Sequence, residues 1–140
     1  METELLFEME GELSPPITIH NTPEGTRVIV HVTGGAFKGP RLKGEVLSSG
    51  GDWFAVRPDG VGVLDVRLLL KTDDGENIYM TYSGRATMGA GGIPSALRTA
   101  PTFSTSTTGK YAWLNGVQAI GVGAPGDQMT SVRYKVYQVK

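Results

Sequence analysis

The fold is decided by residues 50–75, which read GGDWFAVRPDGVGVLDVRLLLKTDDG. The turn pairs Asp59-Gly60 and Asp74-Gly75 bound a run, residues 61–71, that predicts a β-strand. Strand side chains alternate between two faces. One face of this strand is apolar and consists of Leu64, Val66, Leu68 and Leu70. The other face carries an acid and a base and consists of Val63, Asp65, Arg67 and Leu69. Asp65 and Arg67 therefore form either a structural charged pair or the floor of a binding site.

The same alternation, broken by short turns, extends along the rest of the chain. It predicts strands at residues 4–13, 17–21, 26–33, 42–47, 53–56, 77–87, 100–106, 117–123 and 129–139. Gly34-Gly35 is expected to end a strand, residues 48–51 to form a loop, and residues 111–116 to make one helical turn. Residues 88–98 have no strand period and predict a long irregular segment that serves as a lid or an interface loop. Many strands without a long amphipathic helix favour an antiparallel barrel or a sandwich.

The composition excludes several classes of protein. With 140 residues the chain is expected to form one domain, residues 1–140. The 13 basic and 14 acidic side chains nearly cancel, so nucleic acid and anionic membranes are not expected partners. The absence of cysteine excludes disulfides and thiolate chemistry. No apolar run is long enough for a membrane helix and the amino terminus does not resemble a signal peptide, so a cytoplasmic location is expected.

No standard catalytic or phosphate-binding motif is present, and neither a metal site nor a cofactor is expected. His20 and His31 lie eleven residues apart without other metal-ligand residues near them. The strongest chemical signal is the face with Asp65 and Arg67. An arginine in a cavity can bind a carboxylate, enolate or phenolate. An aspartate with a raised pKa can move a proton near neutral pH.

Large aromatic side chains and further arginines are candidate ligand contacts. For each aromatic residue the alternative role is core packing, and for each arginine it is a solvated position on the surface. The aromatic candidates are Trp53, Tyr79, Tyr82, Phe103, Tyr111 and Trp113. Arg41 follows Gly39-Pro40, and Arg98 flanks the glycine-rich segment. Both arginines are candidate anion clamps.

An ordered set of short motifs resembles a known family. The motifs are residues 34–42 (GGAFKGPRL), Gly51-Asp52-Trp53, residues 56–60 (VRPDG), residues 64–67 (LDVR), residues 72–75 (TDDG), Pro101-Thr102-Phe103 and residues 111–115 (YAWLN). Together they are similar to domain-of-unknown-function family 3237 over essentially the whole chain. The resemblance implies one closed antiparallel β-barrel of about 8–10 strands, similar to the calycin and allene-oxide-cyclase barrels, with at most one or two short helical turns.

The resemblance also implies a site and an oligomer. The candidate site residues at matching positions are Asp52, Trp53, Arg57, Asp65 and Arg67. By analogy between folds, cyclases and isomerases are the nearest functional counterparts. One departure lies at residues 89–97, where this chain has small residues in place of an aromatic-containing segment. Small residues there predict a more open pocket mouth.

Two hypotheses about function follow, with a third as an alternative. In the first, the barrel is a cofactor-free isomerase, cyclase or lyase that acts on a carbonyl, enone or phenolic metabolite. Arg67 and Arg41 then hold developing negative charge while Asp65 or Asp52 moves a proton. In the second, the barrel binds an acidic small ligand without catalysis. In the third, the charges form subunit contacts in a structural homo-oligomer.

Overall fold

All 140 residues are described by a computed structural model of the chain. Ten strands, all paired antiparallel, form one sheet. Their bounds are β1 Thr3–Leu13, β2 Ile17–Thr22, β3 Gly25–Lys38, β4 Lys43–Val56, β5 Gly62–Thr72, β6 Asn77–Met88, β7 Pro94–Thr99, β8 Thr102–Ser104, β9 Ala119–Pro125 and β10 Ser131–Val139. Three short 3-10 turns, Ala90–Gly92, Ala112–Gly116 and Asp127–Met129, complete the secondary structure, one more than the sequence predicted.

The sheet closes on itself as an eight-stranded barrel. Strand order around the circle is β1-β10-β9-β7-β6-β5-β4-β3, and β1 also pairs with the second half of β3. Two strands lie outside the circle: β2 pairs with the first half of β3, and β8 pairs with β6. Closure removes free strand edges from the eight barrel strands. The all-β antiparallel barrel predicted from the sequence is therefore confirmed.

The barrel interior is filled at one end and open at the other. Phe7 packs against Phe37 and Phe103, with ring centroids 5.4 and 6.0 Å apart. Leu114, in the 3-10 turn that follows β8, is fully buried and belongs to the same hydrophobic core as these three rings. None of the helical turns is long and apolar enough to cross a membrane as a helix.

Two predicted strand ends are wrong because glycines bend strands here without ending them. β3 continues through Gly34-Gly35, and its register against β4 shifts between His31 and Ala36. The predicted strands at 42–47 and 53–56 are one strand, β4, with a register shift between Val46 and Gly50. Gly50 has φ of 79°, a conformation that side-chain-bearing residues rarely adopt. The expected loop at 48–51 is therefore a bulge within a strand.

The segment at residues 88–98 is also more regular than predicted. Its irregular part is confined to the 3-10 turn Ala90–Gly92 and its flanks, and β7 begins at Pro94. β7 pairs with β6 and β9, so it is part of the barrel wall. Its pattern is hard to recognise because β7 has only six residues and starts with proline.

Candidate functional site

A cavity of about 110 Å³ lies inside the barrel and opens at one end. Eight of its 17 lining residues are side chains of β3, β4 and β5, mainly valine, leucine and phenylalanine, and β1, β6, β7 and β10 supply others. Gly92 and Pro94 line it at the start of β7, and Pro125 and Met129 line it at the end of β9 and in the turn that follows. Asp52 is the only charged residue among the 17 that line the cavity. The cavity is therefore an apolar chamber with a single carboxyl group.

Asp52 reaches the interior because it shares the inward face of β4 with Phe54 and Val56. Its neighbours across the sheet are Val30 on β3 and Val66 on β5. Its Oδ1 accepts a hydrogen bond of 3.1 Å from the backbone N–H of Asp65. This bond satisfies one carboxyl oxygen and leaves the rest of the group among apolar side chains.

Burial raises the pKa of Asp52 to about 7. The hydrogen bond from the Asp65 N–H lowers the pKa because it favours the charged carboxylate, and the negative charge of Asp65 raises it. Burial outweighs the hydrogen bond. Near neutral pH the group is therefore present both as an acid and as a base, which is the condition for general acid–base catalysis.

Two tyrosines complete the polar part of the cavity. Tyr82 lies on β6 in the same cross-strand row as Asp52, with Val66 between them. Tyr134 lies on β10, and the two rings meet edge to face with centroids 5.4 Å apart. Burial raises the pKa of both tyrosines above its usual value, and the charge of Asp52 raises it further. Both hydroxyls therefore remain protonated and can act as neutral hydrogen-bond donors.

Asp65 and Arg67 lie on the outside of the barrel, so the expectation that they line the cavity is corrected. The apolar face of β5 points inward, with Leu64, Val66, Leu68 and Leu70 all buried, while Asp65 and Arg67 are exposed. Burying four aliphatic side chains is favourable by roughly 1.5–3 kcal/mol each. Burying two charges costs several kcal/mol per ion before any pairing. Both terms favour the observed orientation.

Three further candidates also lie outside the cavity. Trp53 is on the outer face of β4 with 38% of its surface exposed, and the Arg67 guanidinium lies 5.4 Å from its ring centroid. Tyr79 is on the outer face of β6 and is 41% exposed. Arg57 forms an ion pair of 2.6 Å with Asp59 in the β4–β5 turn. None of the three residues contributes to the lining of the cavity.

The remaining candidates lie at the filled end of the barrel or on its surface. The Arg41 guanidinium stacks 3.8 Å from the ring centroid of Trp113, and its Nη2 donates to Gln138 Oε1 at 3.0 Å. Phe103 belongs to the aromatic cluster at that end. Arg98 is exposed on β7. Among the predicted site residues, only Asp52 and Tyr82 line the cavity.

Sequence reasoning missed Tyr134. The signal was present: Val132, Tyr134 and Val136 share one face of β10, and tyrosine is the only one of the three with a polar group. No group of three or more His, Asp or Glu side chains is arranged to hold a metal ion. The chemistry available in the cavity is that of one titratable carboxyl and two phenols.

The chain is similar to proteins from bacteria and a fungus. It is 27% identical over 151 residues to a UPF0311 protein of Rhodopseudomonas palustris, with 99% of this chain and 97% of the relative covered. It is 32% identical over 127 residues to a UPF0311 protein of Clostridium acetobutylicum, with 81% and 80% covered. It is 30% identical over 132 residues to the hydroalkoxylation enzyme phnH of Penicillium herquei, with 94% and 80% covered.

Solved structures have the same fold. A beta-barrel like protein from Acinetobacter baumannii AYE matches with a TM-score of 0.88 and 30% identity, covering 99% of this chain and 96% of that one. An enzyme from Penicillium herquei matches with a TM-score of 0.75 and 28% identity, covering 99% and 94%. The family model described as "Protein of unknown function (DUF3237)" matches residues 1–139, and the chain therefore belongs to that family.

Proposed function

We propose that the protein is an enzyme that moves a proton on a small metabolite inside the barrel, with Asp52 as the acid and base. The observation that carries this proposal is a carboxyl group with a pKa of about 7 in a cavity lined mainly by apolar side chains. A perturbed titratable group in a cavity is a frequent mark of an active site. The reaction class is isomerisation, cyclisation or elimination on a molecule with a carbonyl, enone or phenol group.

The lining of the cavity favours a substrate without charge. No lysine, arginine or histidine is among the lining residues, so a bound anion would have no cationic partner. A neutral substrate leaves Asp52 in its protonated form, which burial already favours. The hydroxyls of Tyr82 and Tyr134 are suited to hold a carbonyl or hydroxyl oxygen of such a substrate.

The size of the cavity limits the part of the substrate that enters it. An apolar cavity of about 150 Å³ holds benzene. The cavity in this barrel is about 110 Å³. It accommodates a group of roughly four non-hydrogen atoms, and the remainder of a larger substrate extends through the mouth.

A relative that carries out hydroalkoxylation supports cyclisation within this class. Hydroalkoxylation adds an O–H group across a carbon–carbon double bond. In our proposal Asp52 gives its proton to one carbon of the double bond, and a hydroxyl oxygen of the same substrate bonds to the other carbon. The proton of that hydroxyl returns to the Asp52 carboxylate. The product is an isomer of the substrate, and the acid is restored.

The test compares the small molecules that the wild type and Asp52→Asn retain after expression in the same host. Native mass spectrometry identifies the compound held by the variant, and purified wild type is then incubated with it. We expect conversion to an isomer of equal mass with a different retention time, or loss of water for an elimination. The rate should fall at least ~100-fold in Asp52→Asn, the usual scale for loss of a general acid.

Asp73→Asn is the matched control because it makes the same chemical change at an exposed turn outside the cavity. It should convert the compound at the wild-type rate. A variant Asp52→Asn that is as active as the wild type would contradict the assignment. A wild type that binds the compound and leaves it unchanged would favour the alternative function, a non-catalytic ligand-binding barrel.

A further inference from the structure

Asp65 and Arg67 are exposed on the outer face of β5, and neither has an ionic partner within the chain. Seven ion pairs form in this protein, and none includes Asp65 or Arg67. The two residues lie two positions apart on β5, which separates them by about 6.5–7 Å along the strand. The guanidinium of Arg67 lies over the Trp53 ring, an arrangement that leaves its N–H donors available at the edge.

These side chains belong to two neighbouring rows that run across the strands. The first row is Ile29, Trp53, Asp65 and Ser83. Ile29 pairs with Trp53, and Asp65 pairs with Ser83. Trp53 lies opposite Asp65 because the neighbouring residues Asp52 and Val66 are paired. The second row is His31, Gly51, Arg67 and Thr81. Each strand from β3 to β6 contributes one residue to each row.

We propose that this face is the contact between two copies of the chain in a two-fold dimer, a surface independent of the proposed enzymatic function. The two-fold axis lies between the sheets of the two protomers. It is perpendicular to the strands and passes at the level of Val66. Each strand then lies antiparallel to the same strand of the partner. The first row of one protomer then faces the second row of its partner. Such an interface is isologous, so every contact occurs twice.

The two rows are complementary in charge. On β5, Asp65 of one protomer faces Arg67 of its partner, and the reverse contact forms at the symmetry-related position. Desolvated carboxylate–guanidinium contacts of this kind fix the register of an interface. On β6, Ser83 faces Thr81, so both positions offer a hydroxyl donor and acceptor.

The two rows are also complementary in shape. On β4, Trp53 in the first row faces Gly51 in the second, so the largest side chain lies over a position that has none. A Cβ atom at Gly51 would collide with the backbone carbonyl oxygen of Val30, so the chain's own packing keeps glycine at this position. Tryptophan, arginine and tyrosine are the side chains most enriched at the energetic centre of protein interfaces.

Exposed apolar side chains extend the same face. Four of the eight exposed large hydrophobic residues lie on it: Ile17 (60%), Ile19 (52%), Trp53 (38%) and Tyr79 (41%). Ile17 pairs with Ile29, so β2 continues the first row beyond the barrel. Large apolar side chains that are exposed on one face are typical of a protein–protein contact.

The test is the mass of the full-length protein in solution, measured by sedimentation velocity over a hundredfold range of concentration. The wild type should have twice the mass of the chain. The single variants Asp65→Arg and Arg67→Asp place like charges opposite each other and should weaken dimerisation at least ~10-fold. The double variant Asp65→Arg/Arg67→Asp restores both contacts and should dimerise again. An equimolar mixture of the two single variants should form a heterodimer.

Lys38→Asp is the control, because Lys38 is exposed on β3, is absent from the ion pairs of the chain and lies outside both rows. It should dimerise as the wild type does. A monomeric wild type at the highest concentration would overturn the proposal. Single variants that remain dimeric would do the same, and so would a double variant that stays monomeric with a native circular dichroism spectrum.

Discussion

Asp52 and Asp74 are chemically identical side chains in opposite environments. Asp52 lies inside the barrel, where burial raises its pKa to about 7. Asp74 lies in the exposed hairpin between β5 and β6. Its carboxylate accepts hydrogen bonds from Thr72 Oγ1 at 2.6 Å, from the Tyr111 hydroxyl at 3.0 Å and from Lys110 Nζ at 3.2 Å. These bonds, led by the one from Thr72, lower its pKa to about 2.

The difference shows what decides the state of a carboxyl group in this protein. Three donors and contact with water hold Asp74 as a carboxylate, which fixes the hairpin to the segment that carries Tyr111. One backbone donor is not enough to offset burial at Asp52. The hairpin aspartate is therefore a structural group, whereas the cavity aspartate is poised to exchange a proton.

Removing the carboxyl of Asp52 should have the largest effect on stability. Its pKa is near 3.8 in the unfolded chain and about 7 in the folded protein, so between these values the folded state binds more protons. The contribution of Asp52 to the unfolding free energy should fall by at most ~4 kcal/mol between pH 4 and pH 7. Asp52→Asn should lack this loss and be more stable than the wild type at pH 7, with nearly equal stability at pH 4.

Urea unfolding at both pH values measures this effect, and Asp73→Asn should follow the wild type. If the difference in unfolding free energy between the wild type and Asp52→Asn is the same at pH 4 and at pH 7, the cavity carboxyl is not buried as described.

Asp74→Asn should have a smaller effect with the opposite dependence on pH. The folded-state pKa of Asp74 is lowered, so its stabilisation is present above its unfolded-state pKa and is lost as the pH falls towards 2. The variant should have a lower Tm than the wild type at pH 7, and the difference should shrink at pH 2.5. Thermal scans at the two pH values test this. Asp73→Asn, whose only ionic contact is at 3.8 Å, should change Tm less; an equal fall in both variants would contradict the role of the hydrogen bonds.

Asp65→Asn should give the smallest effect, a change in the pKa of Asp52. The negative charge of Asp65 raises that pKa, while its backbone N–H, which the variant keeps, lowers it. The pKa of Asp52 should therefore fall slightly in the variant. Carboxyl ¹³C chemical shifts followed through a pH titration of dilute protein measure this change. An increase in the pKa of Asp52 would be inconsistent with this arrangement.

Much of the secondary structure could be predicted because alternation and turn chemistry are local. The predicted strands at 61–71 and 77–87 match β5 Gly62–Thr72 and β6 Asn77–Met88 within a residue. The bulge in β4 was not predictable, because glycine and serine also mark loops and only pairing with β3 and β5 keeps that segment extended. The short β7 was missed for a similar reason.

The order of residues along the chain is enough to predict that the chain is all-β and that β5 has one apolar face, and it places Asp52, Asp65 and Arg67 among the charged residues of this region. Tertiary structure alone decided which face is inside. The period of a strand follows from its own backbone, but its orientation depends on how eight strands close and on which side buries more apolar surface. Closure carried Asp52 inward beside Tyr82 and Tyr134, and it left Asp65 and Arg67 outside. The pKa of Asp52 follows from that non-local arrangement.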